Sequence, residues 1–168
     1  GGDVVLNAAQ GRAALDAIIS NHGRIQTGTI YAGGQPFKKG SVTISAPTMT
    51  ATRSKIIQGG AIVADGGKVQ LIAKHVSIEK TANITVASDL GGGSILIGGA
   101  KQGGTSHPTA STLDVEEGSI IDASALKDGN GGEIILWSDD LTKFEGDIWS
   151  KGGVLSGDGG FVEVSGKN

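Results

Sequence analysis

The chain has 168 residues, enough for one sizeable domain, and 30 of them are glycine while only 3 are proline. Average proteins contain about 7% glycine, and an excess of glycine without proline argues against low-complexity disorder. The formal net charge of −3, with both signs scattered along the chain, excludes the basic surface that nucleic acid or an anionic membrane requires, and the absence of cysteine excludes disulfides and thiolate metal sites.

A seven-residue phrase recurs along the whole chain: glycine, any residue, Val or Ile, any residue, Leu, Ile or Val, any residue, and a small residue. Its copies begin at Gly2, Gly40, Gly67, Gly93, Gly132 and Gly160. Because side chains alternate between the two sides of a strand, each copy is predicted to be a strand with one apolar side. Apolar runs such as SILI at residues 94–97 are far shorter than the ~20 residues that cross a bilayer, so we expect no membrane insertion.

The repeated positions of this phrase predict three stacked columns of side chains. The first column contains Val4, Val42, Val69, Ile95, Ile134 and Val162. The second column contains Leu6, Ile44, Leu71, Ile97, Leu136 and Val164. The third column is uniformly small and contains Ala8, Ala46, Ala73, Gly99, Ser138 and Gly166. Small residues suit a corner, where a side chain must fit against the turning backbone.

Two shorter phrases lie between successive copies of the main phrase. One is usually glycine, any residue and isoleucine, and it predicts a further column of Ile25, Ile62, Ile84, Ile120 and Ile148. The other precedes it and is visible at residues 76–78 (VSI), 113–115 (LDV) and 141–144 (LTKF). Each interval between main phrases is therefore predicted to contain about three short strands.

The spacing of the main phrase determines the predicted fold class. The interval is 27 residues from Gly40 to Gly67 and 26 residues from Gly67 to Gly93. A repeat of this length with three strands is one coil of a parallel β-helix. We predict an all-β chain, a right-handed parallel β-helix (solenoid) of about five coils with three short strands per coil. Residues 1–168 are expected to form a single β-helix segment of a larger protein, since the end strands would otherwise have unpaired edges.

Two longer intervals predict loop insertions near residues 28–39 and 100–111. Loops that leave a rigid scaffold commonly carry function. The candidate binding residues in these loops are Tyr31, Phe37, Lys38, Lys101 and His107. The alternative is that both are ordinary surface loops, with the aromatic side chains folded onto the scaffold. Asn83 begins an Asn-Ile-Thr sequon and is a candidate glycosylation site.

The polar residues predict no catalytic site. The carboxylate doublets Asp139-Asp140 and Glu116-Glu117 would point to opposite sides of a strand, so neither doublet alone provides an acid and base pair. The histidines His22, His75 and His107 are isolated in the sequence. We therefore expect no catalytic residue, no metal site, no cofactor and no enzymatic activity.

Three stretches of the sequence resemble the repeats of filamentous-haemagglutinin-like exoproteins and high-molecular-weight adhesins. They are residues 51–60 (ATRSKIIQGG), 130–139 (NGGEIILWSD) and 157–167 (GDGGFVEVSGK). The resemblance implies a secreted bacterial surface protein exported by two-partner secretion, with an outer-membrane pore as partner during export. The chain lacks the Asn-Pro-Asn tetrapeptides of the family's amino-terminal secretion domain, which favours a position just beyond that domain.

The resulting functional expectation is a structural and adhesive shaft segment of a large secreted adhesin at the bacterial cell surface. The parent protein would contact a receptor or glycan on a host or neighbouring cell, and the shaft itself would bind little. The alternative is a carbohydrate-binding or polysaccharide-cleaving β-helix protein. A toxin-delivery or haem-scavenging exoprotein with the same shaft is a third possibility that this sequence does not separate from the first.

Overall fold

The computed structural model describes residues 2–7, 16–32, 35–46 and 53–167. Within these residues there is no α-helix, only a single 3₁₀ turn at Lys101–Gly103, and no helix is long and apolar enough to cross a membrane. The strands are β1 (Asp3–Asn7), β2 (Asp16–Asn21), β3 (Arg24–Thr27), β4 (Ile30–Ala32), β5 (Gln35–Lys38), β6 (Ser41–Ser45), β7 (Arg53–Gln58), β8 (Ala61–Ala64), β9 (Lys68–Ile72), β10 (His75–Ile78), β11 (Asn83–Thr85), β12 (Ser88–Leu90), β13 (Ser94–Ile97), β14 (Ala110–Val115), β15 (Ile120–Asp122), β16 (Ala125–Asp128), β17 (Glu133–Phe144), β18 (Asp147–Trp149) and β19 (Phe161–Gly166).

Most of these strands stack in parallel on three faces. The first face has the order β1-β6-β9-β13-β17-β19, the second β2-β7-β10-β14-β17 and the third β3-β8-β11-β15-β18. Strand β17 belongs to two faces, because its first half pairs with β13 and β19 and its second half pairs with β14. The chain visits the faces in turn and returns to the first face one strand further along, which fits a parallel β-helix. The prediction of an all-β chain with parallel strands is confirmed, while the coil number and the right-handed sense stay predictions.

The two predicted apolar columns of the first face are confirmed position by position. The first column is in register from Val4 through every predicted member to Val162. The second column is in register from Leu6 to Val164. The four middle members of each column are fully buried, whereas Val162 is 42% exposed. A fully buried aliphatic side chain contributes on the order of 1.5–3 kcal/mol, so stability is concentrated in the middle of the stack.

The column of small residues is described for most of its length. Ala46 and Ala73 are buried, and Ser138 pairs with Gly166. Gly99 was wrongly assigned to this column, because it lies in the loop against Trp137 and the buried Ala110 pairs with Ser138 instead. Ala8 lies outside the described residues.

The isoleucine column of the third face contains one correction to the sequence-based prediction. Ile25, Ile62, Ile84 and Ile148 are in register as expected, but Ile121 and not Ile120 completes the column. The preceding turn has four residues, like the turn before β11 and two more than the turns before β3, β8 and β18, and Ser119 occupies the buried corner position taken elsewhere by Gly60 and Ala82. The prediction was wrong because glycine was assumed to mark the corner, and Gly118 instead has a positive φ of 91° within the longer turn.

The looser segment at residues 141–144 lies in the second half of β17, on the second face. Within it Thr142 pairs with Leu113, and Leu141 is 61% exposed. A register shift opposite Ala110 accompanies the corner. The inward hydroxyl of Thr142 donates to Ser165 O at 3.0 Å, so this polar side chain is satisfied.

Three segments leave the regular winding. Within residues 28–39, β4 and β5 form an antiparallel hairpin. Residues 98–109 form a loop that contains the 3₁₀ turn. The third departure was not foreseen: β12 and β16 pair with each other outside the three faces, and Asp128 continues this small sheet by a bridge to Ser156. We call β12, β16 and the segment around Ser156 the lateral sheet.

Candidate functional site

The loop at residues 98–109 lies on the outer side of the first face. Leu96, Ile135 and Trp137 occupy outward positions of β13 and β17, yet all three side chains are buried. A Cβ atom added at Gly99 would lie 2.8 Å from Cδ1 of Trp137, and one at Gly103 would lie 2.6 Å from its Cζ2. Glycine at these two positions therefore allows the loop backbone to pack directly on the indole ring.

Asp139 fixes both the loop and the indole ring. Its Oδ2 accepts a hydrogen bond from the Thr109 hydroxyl at 2.6 Å, and its Oδ1 accepts one from Trp137 Nε1 at 3.1 Å. The Thr109 hydrogen bond is the main cause that holds the pKa of Asp139 below its usual value, with smaller contributions from Trp137 and the charge of Lys167. The carboxylate of Asp139 therefore has a structural role, since it holds the loop and the indole ring in place.

Lys101, a candidate binding residue, is exposed and lies over the ring of Phe161, with its Nζ 3.9 Å from the ring centroid. The next residue also contacts β19, because the N–H of Gln102 donates to Oε1 of Glu163 at 2.9 Å. The loop thus contacts the last strand of the first face as well as β17. Cation–π contacts at exposed sites contribute about 0.5–1 kcal/mol, so Lys101 stabilises the position of the loop.

His107, the other candidate in this loop, lies partly buried against β9. Its Nε2 is 2.8 Å from Nε2 of Gln70, and its Nδ1 is 3.0 Å from Oγ of Ser106. Because the amide nitrogen of Gln70 can only donate, Nε2 of His107 accepts, which places the proton of a neutral ring on Nδ1. Residues 103–109 line an open depression of about 420 Å³ beside this histidine. The roles of Lys101 and His107 in binding a partner stay predictions.

The candidates of the first insertion lie on the β4–β5 hairpin. Tyr31 pairs with Pro36 across the hairpin, and Ile30 pairs with Lys38, whose side chain is exposed. The side chains of Tyr31 and Phe37 lie outside what the structure describes.

Asp139 and Asp140 are neighbours in β17, whereas Glu116 and Glu117 lie in the turn after β14 and not on a strand. Asp139 is partly buried under the loop, whereas Asp140 is exposed. Glu116 accepts a hydrogen bond from the backbone N–H of Lys80 at 3.0 Å, and Glu117 is exposed. Within the described residues no group of three His, Cys, Asp or Glu side chains is arranged to hold a metal ion.

His22 is the exception to the isolation of the histidines in the sequence. Its Nε2 lies 2.9 Å from Oε2 of Glu79, and its Nδ1 lies 3.0 Å from Oγ of Ser20. Glu79 lies two repeats of the fold beyond His22. The two side chains can meet because Gly59, at the same place in the repeat between them, has no side chain. A Cβ atom at Gly59 would lie 2.8 Å from Cδ2 of His22. The signal in the sequence was the register, since His22, Gly59 and Glu79 each directly follow a strand of the second face.

The order serine, histidine, carboxylate is that of a hydrolase relay, but the surroundings do not support this chemistry. The nearby backbone N–H groups of Gly59 and Gly60 both donate to Asn21 O at 2.9 Å, so they are not free to stabilise an oxyanion. The side chain of His22 is 58% exposed. The arrangement is therefore best described as an exposed hydrogen-bonded contact between His22 and Glu79 that links two repeats of the second face.

Asn83 lies at an outward position of β11, between Ala61 and Ile120 of the neighbouring strands, and its side chain is exposed. Thr85 of the sequon accepts a hydrogen bond from the N–H of Ala87 at 3.1 Å. The asparagine is accessible in the folded chain, and its glycosylation stays a prediction.

Comparison with known proteins finds likeness at the level of fold. No protein-family model and no curated protein matches the chain. A solved structure, the crystal structure of the HMW1 secretion domain from Haemophilus influenzae, matches with a TM-score of 0.72 at 24% sequence identity. The match covers 99% of this chain and 43% of that chain, so this chain spans less than half the length of its structural neighbour. The chain shares the fold of this part of the HMW1 secretion domain.

Proposed function

We propose that this chain is a structural segment of a large secreted bacterial adhesin exported by two-partner secretion. The observation that carries the proposal is the match of 99% of the chain to the HMW1 secretion domain. The resemblance of residues 130–139 and 157–167 to the repeats of high-molecular-weight adhesins supports it independently. Within the described residues the buried columns are inward and aliphatic, which is the construction of a scaffold.

Export through an outer-membrane pore is the partner interaction that this proposal includes. A chain without cysteine cannot be trapped by disulfides before it leaves the periplasm. Each coil forms its hydrogen bonds with the coils beside it, so the fold can grow outside the cell as the chain emerges. The secreted, surface location follows from this route.

The position of the segment within its parent has two supported alternatives. The missing Asn-Pro-Asn tetrapeptides favour the shaft just beyond the secretion domain, where the segment would be a passive rod. The fold likeness to a secretion domain favours a position inside such a domain, where the segment would itself engage the pore. The two alternatives differ in whether this chain alone directs secretion.

A secretion assay tests the proposal and its two alternatives together. The chain is expressed behind a periplasmic signal peptide in a bacterial host, with and without a two-partner secretion pore, alone and fused to the HMW1 secretion domain. Pore-dependent release of the fused chain in folded form is expected. Release of the chain alone would place it in a secretion domain, and release only of the fusion would place it in the shaft. Failure of both to reach the medium, while the HMW1 domain alone is released, would contradict the proposal.

Carbohydrate binding is a second candidate function, because two aromatic rings are exposed on the surface. Trp149 and Phe161 are each about 40% exposed. A lysine lies over each ring, with Lys151 Nζ 4.8 Å from the centroid of the Trp149 ring system. Binding to a panel of host and bacterial glycans that is lost in Trp149→Ala would establish this candidate. Turnover of any polymer in the same panel would instead contradict the proposal of a non-enzymatic scaffold.

A further inference from the structure

The lateral sheet begins abruptly at β12. One repeat before β12, residues 64–67 connect the third face to the first face at the same corner by a tight turn. In this turn Gly67 N donates to Ala64 O at 2.8 Å, and Gly66 has a φ of 58°. Later turns of the chain instead send β12, β16 and the segment around Ser156 outward at this corner. Among the described residues no strand pairs with β12 on the side of residues 64–67, and the insertion that leaves the same corner one repeat earlier reaches this side through the Thr29 hydroxyl, which donates to Asp65 O.

The first edge of the lateral sheet carries free backbone groups. β12 pairs with β16 on one side only. The N–H of Ser88 donates to Ser124 O at 3.2 Å, which directs this residue's backbone groups to the β16 side. Backbone groups of successive residues in a strand point to opposite edges, so the N–H and C=O of Asp89 face the open edge. No backbone hydrogen bond from a described residue fills this edge.

A depression of about 250 Å³ lies at this edge, lined by Asp65, Ala87, Ser88, Asp89 and Leu126. Neighbouring strands in a sheet are about 4.8 Å apart, so a strand added to this edge would lie about 4.8 Å from β12. The carboxylate of Asp65 is exposed and forms no ion pair with a described residue, whereas Asp89 is paired with Lys127 at 2.6 Å. Leu126 and Leu90 expose 50% and 42% of their surface beside it.

We propose that the open edge of β12 is a docking site for an extended peptide segment of a partner protein. The segment adds one strand to the lateral sheet through the free N–H and C=O of Asp89, which is the chemistry of β-strand addition. It carries a basic side chain opposite Asp65 and an apolar side chain against Leu90, which lies on β12 itself. A second copy of this chain is disfavoured as the occupant, because pairing two β12 edges would bring Asp65 and Asp89 close to the same residues of the copy.

Binding of a designed peptide tests the site. The probe is the acetylated and amidated pentapeptide TKVKT, labelled with fluorescein, and binding to the full chain is followed by fluorescence anisotropy at low salt. Binding that protects the amide of Asp89 from hydrogen exchange is expected. Asp89→Pro removes the outward N–H and also the ion pair with Lys127 of β16, whereas Asp89→Ala removes the ion pair alone, so Asp89→Pro should bind at least about tenfold more weakly than Asp89→Ala.

Charge and backbone contributions are separated by matched controls. Asp65→Asn should weaken binding by about two- to fivefold, the size expected for one exposed ion pair, whereas Asp140→Asn on the second face should leave it unchanged. A peptide with an N-methylated central valine should bind more weakly than TKVKT. Undetectable binding at millimolar peptide, or equal affinity in Asp89→Pro and Asp89→Ala, would overturn the proposal. Self-association of the chain that Asp89→Pro abolishes would overturn it in favour of a second copy.

Discussion

Trp137 is the residue on which the packing of the loop at 98–109 depends. Its ring has backbone from Gly99 and Gly103 on one side and the first face on the other. The sequence placed Trp137 on a strand but did not show what covers it, because the covering atoms are backbone atoms of glycines that carry no hydrophobic signal. The packing of the loop can be recognised only when the tryptophan and the two glycines are considered together.

Gly103→Ala is predicted to lift the loop from the indole ring. The added methyl group would lie 2.6 Å from Trp137 Cζ2, and alanine is strained at the φ of 66° that Gly103 adopts. In a Trp149→Phe background, where Trp137 is the single tryptophan, the substitution should shift the fluorescence to longer wavelength and increase quenching by acrylamide. Gly28→Ala is the control, since a Cβ atom there meets nothing within 4 Å. Unchanged quenching in Gly103→Ala would contradict the packing.

Acid is predicted to release the same loop. The pKa of Asp139 is lowered in the folded chain, so its contribution to stability is present above the usual aspartate pKa of about 4 and is lost as the pH falls through the lowered value. The fluorescence of Trp137 should therefore change below about pH 4 in the parent chain. Asp139→Asn should show this change already at neutral pH, and Asp140→Asn should behave like the parent. An acid response that persists unchanged in Asp139→Asn would contradict the assignment.

The contact between His22 and Glu79 illustrates a different limit of sequence reasoning. The two residues are 57 positions apart, and the sequence alone presents His22 as isolated. They meet because Gly59, in the register position between them, has no side chain. Once the columns of the second face are known the contact can be anticipated, so the missing information was the register and not the chemistry.

At the scale of the strands, the alternation of aliphatic residues was sufficient to predict the first face. Every member of the two aliphatic columns is found at its predicted position, because a shift of one residue would turn all buried side chains outward. Corners were harder to predict. Ile121 occupies the position assigned to Ile120, because Gly118 lies within the turn and Ser119 takes the corner position.

The energetic weight of a column should depend on position within the stack. Val69 and Val162 belong to the same column, but Val69 is fully buried and Val162 is 42% exposed. Val69→Ala removes two buried methyl groups and leaves a cavity, at a cost of about 2–3 kcal/mol, whereas Val162→Ala should cost less than about 1 kcal/mol. Unfolding in urea measures both changes in the free energy of unfolding. Equal costs at the two positions would contradict the described burial.

The lateral strands β12 and β16 were not predicted from the sequence. Both strands are short, with the sequences SDL and ALKD, and most of their residues are exposed. They therefore lack the alternation of buried and exposed residues that marks the three faces. β12 and β16 are strands because they pair with parallel neighbours, and not because of the intrinsic β-propensity of their residues. The site proposed on the edge of β12 depends on this unforeseen sheet, which explains why the sequence directed attention to the two longer insertions instead.

At the scale of the whole molecule, the described residues form one stack in which each turn of the chain contacts its neighbours. The middle of the stack is closed by fully buried columns, and Leu6, Val162 and Val164 at its two ends are partly exposed. This gradient agrees with a scaffold whose stability is shared between neighbouring turns. The functions proposed for the chain, in secretion, in adhesion and in the docking of a partner strand, all require this stack.

The most direct test of the stacked register is disulfide formation between introduced cysteines, because the chain has no cysteine of its own. Thr43 and Gln70 are register partners on the outer side of the first face, and Ile72 lies two residues further along the same side. Partners about 4.8 Å apart can form a disulfide, whereas the diagonal pair is about 8 Å apart and cannot. The double variant Thr43→Cys/Gln70→Cys is predicted to cross-link under mild oxidation and Thr43→Cys/Ile72→Cys is not. Cross-linking of the diagonal pair alone would contradict the register on which the account rests.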